Sequence, residues 1–162
     1  MNVKYLAIFN KNSRPPERQA LVNKSWGDLP TSYIQGGEKI NDSDYLDIKV
    51  NKWEVNPLWS KRQSPEPFIR IEILKDKKLN AYLKSFGLTD RLAVESNFAM
   101  AIELDEGEID IDQALMLNLL AVLSDFSEIF KLTRDDASFE KIIVPSLLSV
   151  DELYKLINSD EL

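Results

Sequence analysis

The chain has 162 residues, a net charge of −7, and neither cysteine nor histidine. Without thiols it can form no disulfide, thiolate metal site or cysteine nucleophile; without imidazole it lacks the commonest general base, transition-metal ligand and neutral-pH switch. The charge is uneven: residues 1–80 carry 14 Lys and Arg against 10 Asp and Glu, and residues 81–162 carry 6 against 17. An acidic C-terminal half repels phosphate backbones and draws basic proteins toward itself, so nucleic acid is not an expected partner. The length suits a single domain over 1–162, which at this size buries about two thirds of its unfolded surface.

Residues 3–9 hold Val3, Tyr5, Leu6, Ala7, Ile8 and Phe9, the β-branched and aromatic content of a short buried strand. With one lysine and no small-residue cleavage site, this segment reads as a strand and not a signal peptide. Pro15 and Pro16 then open a short helix through Val22. Residues 23–44 turn to Gly, Ser, Asn, Asp and Pro around Gly36-Gly37, a long loop with a strand hidden at 31–35. Tyr45, Leu46, Ile48, Val50 and Trp53 alternate loosely with Asp47, Lys49, Asn51 and Lys52, as a half-buried strand does. Prolines 57, 65 and 67 make the segment around Trp59 a connection. The alternation of residues 68–74 predicts a strand with Ile69, Ile71 and Ile73 on one face.

A helix beginning at Asp76 places Leu79, Tyr82, Leu83 and Phe86 on one side and stops at Gly87. Residues 97–104 read as a further strand and lead into the acidic run Asp105, Glu106, Glu108, Asp110 and Asp112. There the longest apolar stretch begins. Over 112–132, Leu115, Met116, Leu119, Leu120, Leu123, Phe126, Ile129 and Phe130 recur at helical spacing, with Leu117 and Val122 widening the face. Asn118, Ser124 and Asp125 interrupt it, so no segment is apolar enough to span a membrane and a cytoplasmic, soluble protein is expected. Either Asp110 with Gln113, or Asp112, caps this helix. A short strand at 141–144 ends at Pro145, and Ser149 with Glu152 forms a capping box for a last helix over 150–157. The expected class is α+β: a mixed or antiparallel sheet packed against one long apolar helix and two shorter helices.

No motif names a reaction. The 105–112 acids fail the calcium-loop register, because the glycine follows two acids and no bidentate glutamate closes the pattern. Acids at the start of a helix are otherwise explained by the macrodipole. Asp47-Ile48-Lys49 has the acid-x-lysine spacing with which metal-dependent nucleases place a carboxylate and an ammonium on one strand face, with Asp28 or Asp42 as the upstream acid. Gly36-Gly37 lacks the remainder of a phosphate loop.

By elimination, the expected function is a non-enzymatic acidic protein-binding module, most concretely a bacterial immunity or inhibitor protein that neutralises a toxin or other basic effector by direct binding. No catalytic residue, metal ligand or cofactor is expected. The partner is a protein, basic in character, and not a nucleic acid or membrane. Glu103, Asp105, Glu106, Glu108, Asp110, Asp112, Asp125, Glu128, Asp135 and Asp136 would steer it, and Trp53 and Trp59 would supply contact energy. The alternatives are a carboxylate- and metal-dependent hydrolase or nuclease, and a homo-oligomeric structural subunit, such as a homodimer, that buries the surplus apolar face of 115–130 at a two-fold contact.

Overall fold

Ile69, Ile71 and Ile73 are buried and Arg70 is exposed, so the chain's clearest two-residue alternation does form a strand with one dry face. In the computed structural model, which describes residues 3–61, 66–87, 98–104, 110–133, 138–145 and 147–159, that strand belongs to a seven-stranded sheet. The strands are β1 Val3–Phe9, β2 Thr31–Gln35, β3 Tyr45–Val50, β4 Ile69–Lys75, β5 Phe98–Leu104, β6 Ser127–Thr133 and β7 Ser138–Lys141. Their spatial order is β2-β3-β4-β5-β1-β6-β7, and every pairing is antiparallel. Five α-helices accompany them among the described residues: α1 Arg18–Trp26, α2 Lys52–Val55, α3 Asp76–Ser85, α4 Asp110–Leu123 and α5 Val150–Ile157. Short 3-10 turns lie at Ile40–Asp42 and Pro57–Lys61.

The fold is α+β. Alternation within the strands divides its apolar side chains between two faces. Phe9, Leu46, Ile48, Ile71, Ile73, Met100, Ile102 and Ile129 meet α1, α4 and α5 in the larger core. On the opposite face Leu6, Ile8, Leu74, Ala99, Phe130 and Leu132 meet Leu79 and Leu83 of α3. At about 1.5–3 kcal/mol for each fully buried large apolar side chain, both faces contribute heavily to stability. Polar groups tie the helices together. Trp26 donates its indole N–H to the Leu115 carbonyl at 2.9 Å. The Asn118 amide donates to the carbonyls of Ser25 and Leu148 at 2.9 and 3.0 Å and accepts from the Leu148 N–H at 3.0 Å. Asn118, a polar interruption in the apolar run, therefore faces α1 and the approach to α5, not water.

The expected helix over 112–132 is two elements. α4 ends at Leu123, where the N–H groups of Asp125 and Phe126 bond three residues back, to Val122 and Leu123. The hydroxyls of Ser124 and Ser127 bond the carbonyls of Ala121 and Leu123, completing the stop. The chain then returns as β6. Because β6 is covered on both faces, Ile129 and Phe130 are buried side by side, and with Phe126 they mimic a helical spacing. Ile129 packs into the larger core and Phe130 into the opposite one, and Leu115, Met116, Leu119, Leu120, Val122 and Leu123 are likewise covered by the chain itself. Most of the apolar face of 115–130 is therefore core, with Leu117 and Phe126 partly covered.

Other boundaries move less. The first helix runs on to Trp26 and closes at Gly27, whose φ of +61° suits a residue without a side chain. The strand at 45–53 stops at Val50, and Trp53 belongs to α2. The strand expected at 141–144 lies earlier, at Ser138–Lys141, and leaves Ile143 in solvent. The strand at 31–35 and the last helix with its Ser149–Glu152 capping box form as expected. No helix among the described residues is long and apolar enough to cross a membrane.

Candidate protein-binding end of the sheet

Pairing register brings several chain ends together. Leu104 of β5 lies level with Ile69 of β4, Val3 of β1 is paired with Thr133 of β6, and Thr133 with Ser138 of β7. β5 and β6 flank β1, so the points from which residues 105–109 and 134–137 depart are about 10 Å apart, two strand spacings. β3 also runs to this end, and α2 follows it directly. Asp110, the exposed first residue of α4, belongs here because α4 is fastened to α2.

That fastening is a buried ionic cluster. The Lys52 ammonium pairs with the Asp112 carboxylate and lies 3.6 Å from Glu66. The side chains of Lys52 and Asp112 are only 3% and 6% exposed. The ammonium also sits 4.8 Å from the centre of the Trp59 ring. Glu66 accepts the backbone N–H of Lys52 at 3.0 Å, and Trp59 donates its indole N–H to the Ile157 carbonyl at 2.9 Å. Asn56 reaches the same carbonyl at 3.2 Å. The one-turn helix α2 is thereby fixed to α4 and to the end of α5. Its next residue, Trp53, is 48% exposed, and Leu58 nearby in the chain is 50% exposed.

These placements divide the twelve residues nominated from sequence. Asp112 and Trp59 are corrections: each is buried and bonded inside the fold, Asp112 by Lys52 and Trp59 through Ile157, so neither offers a contact surface. Asp112 does not cap the helix either, since it is the third residue within it. Glu103 is partly exposed and 3.8 Å from Lys4. It lies in a transverse row on the α3 side of the sheet, Asp47-Arg70-Glu103, in which charges alternate strand by strand. Asp125 and Glu128 are exposed at the opposite end, about 20 Å along β6 from Thr133, and Glu128 pairs with Lys141 at 3.4 Å. Asp105, Glu106, Glu108, Asp135 and Asp136 lie outside the described residues.

Sequence reasoning missed Lys52 and Glu66. A lysine in an apparent strand gives no sign of burial, and its carboxylate partners come from 14 and 60 residues away. Among the described residues no three carboxylates gather as a metal site would require. Of the acids nominated upstream of the acid-x-lysine element, Asp28 accepts a hydrogen bond from the Tyr154 hydroxyl at 3.0 Å, and Asp42 lies in a 3-10 turn. That bond holds the Tyr154 proton, so its phenol pKa is raised from the ordinary value. The Tyr5 phenol is raised by burial.

Compared with protein-family models, with curated proteins and with solved structures, the chain matches none.

Proposed function

We propose that this chain is a non-enzymatic acidic protein-binding module that neutralises a basic effector, as an immunity or inhibitor protein does, and that it engages its partner with the end of the sheet carrying Trp53 and Asp110. The observation carrying this reading is the fixing of α2 by Lys52 and Asp112 while the adjacent Trp53 stays half exposed. A tryptophan on a rigid element loses little conformational freedom on binding, and such residues dominate contact energies. The acidic segment 105–109 and the segment 134–137, in which Arg134 offsets one of two aspartates, follow strand ends at this same end. Their charge would accelerate encounter with a cationic protein and make association salt-sensitive.

The test is co-expression with the product of the neighbouring reading frame, followed by titration of the two purified proteins. Protection from toxicity together with a stoichiometric complex supports the reading. Trp53→Ala should then weaken binding by about 30-fold or more, the loss expected for a central aromatic anchor. A toxic neighbour that this chain neither binds nor restrains would end it.

A further inference from the structure

The two edges of the sheet are not alike. β7 is four residues long, carries Glu140 and Lys141, and is followed by Pro145, all of which discourage further pairing. β2 is Thr-Ser-Tyr-Ile-Gln, uncharged, with Tyr33 47% and Ile34 52% exposed on opposite faces. Its hydrogen-bond parity follows from its flanks. Gly36 donates its N–H to the Tyr45 carbonyl at 3.1 Å, and the Pro30 carbonyl accepts from Asn51 N–H at 2.8 Å. Even-numbered residues therefore bond inward to β3, and Thr31, Tyr33 and Gln35 turn both N–H and C=O outward. Among the described residues these six groups have no hydrogen-bond partner. Pro30, which has no N–H to offer, faces inward, so the outward row is unbroken.

We propose that two copies of this chain join through β2, antiparallel about a two-fold axis at Tyr33, making one continuous fourteen-stranded sheet. The strand is self-complementary in that register. Thr31 faces Gln35 of the second copy, Tyr33 faces Tyr33, and the three pairs exchange six backbone hydrogen bonds. Ser32 falls opposite Ile34, and Pro30 opposite Gly36, where no side chain obstructs it. A two-fold contact closes on itself, whereas β2 meeting β7 would propagate, and the charges of β7 oppose that. The contact is small: one strand edge with Tyr33 and Ile34 is less than the roughly 800 Å² per partner of a standard interface, so association is weak. The Arg18 guanidinium lies 3.4 Å from the centre of the Tyr33 ring, which brings two cations toward the axis. Salt that screens them tightens the dimer.

The absence of native cysteine gives a clean test of register. Under mild oxidation of the full chain, Tyr33→Cys should cross-link to itself, the facing Cα atoms being about 5.5 Å apart, within disulfide reach. Ser32→Cys mixed with Ile34→Cys should also cross-link, while neither does so alone. Sedimentation of the wild-type chain from about 10 to about 500 µM should show a monomer–dimer equilibrium, the range expected of so small a contact. Ile34→Lys, checked for folding by circular dichroism, should weaken it at least about tenfold by charging the edge. Equal cross-linking of all three single-cysteine variants, or a monomer throughout that range, overturns the proposal. So does association that weakens from about 50 to about 500 mM salt, since that requires opposite charges to meet across the contact, whereas β2 is uncharged and brings like Arg18 charges together. The partner-binding reading above stands or falls separately.

Discussion

Lys52 and Asp112, sixty residues apart in sequence, form an ion pair that lies almost wholly out of water. Withdrawing two charges from solvent is costly, and their attraction offsets that cost only while both are present. Asp112→Ala should therefore lower the unfolding free energy by at most about 3–5 kcal/mol, the loss for a buried ion left wholly unpaired, because Lys52 keeps Glu66 at 3.6 Å. Lys52→Met combined with Asp112→Leu should recover at least half of that loss. Urea denaturation of the two variants and the parent chain measures both.

Asn118 ties α4 to α1 and to the segment leading into α5 with one amide. Asn118→Leu keeps the volume but leaves the Ser25 carbonyl and both backbone groups of Leu148 without that partner. Unsatisfied buried groups cost about 1–3 kcal/mol each before relaxation, so a net loss of about 2–4 kcal/mol is expected. Hydrogen exchange at the Leu148 amide should accelerate in the same variant, a local readout that a general loss of packing would not single out.

The three tryptophans differ in a way fluorescence can read. Trp26 and Trp59 are buried and donate indole hydrogen bonds at 2.9 Å, while Trp53 is half exposed. Iodide should quench only one class of emission, and Trp53→Phe should abolish that class with a stability change within about 0.5 kcal/mol, as at most surface sites. Trp59→Phe should instead cost about 1–3 kcal/mol by removing the bond to Ile157 and part of its packing.

Alkaline pH should unfold the chain sooner than ordinary tyrosines would allow. The Tyr5 and Tyr154 phenols both titrate above the ordinary value of 10.0, Tyr154 because it donates to Asp28 and Tyr5 because it is buried. The folded state thus holds these protons more tightly than the unfolded state. Their contribution is complete below pH 10 and is lost as pH rises through the folded-state values. Denaturation midpoints should fall from about pH 10 upward, and Tyr5→Phe with Tyr154→Phe should flatten that fall.

Most strands were legible because, where the second face is only partly covered, burial keeps a period of two, as at Ile69, Ile71 and Ile73 around exposed Arg70. The last helix was legible because Ser149 and Glu152 state its start locally. The boundary at Ser124 was not, since Ile129 and Phe130 are buried on opposite faces of β6 and two-sided burial erases alternation. The site was legible only in part. Trp53 could be nominated from its type, but the inward turn of Asp112 and Trp59 depends on Lys52, Glu66 and Ile157, which no local spacing connects to them.

The placement of β1 between β5 and β6 bears on how the chain is made. Ala7 pairs with Met100 on one side and Ile129 on the other, so β1 is synthesised before both of these neighbours and must wait for them. At about 5–20 residues per second, a ribosome needs roughly 6–25 s to deliver them, during which a sticky β-forming segment is exposed. Nascent copies on crowded polysomes are accordingly the form most prone to clump, and chaperone supply rather than native stability should limit the yield of folded protein.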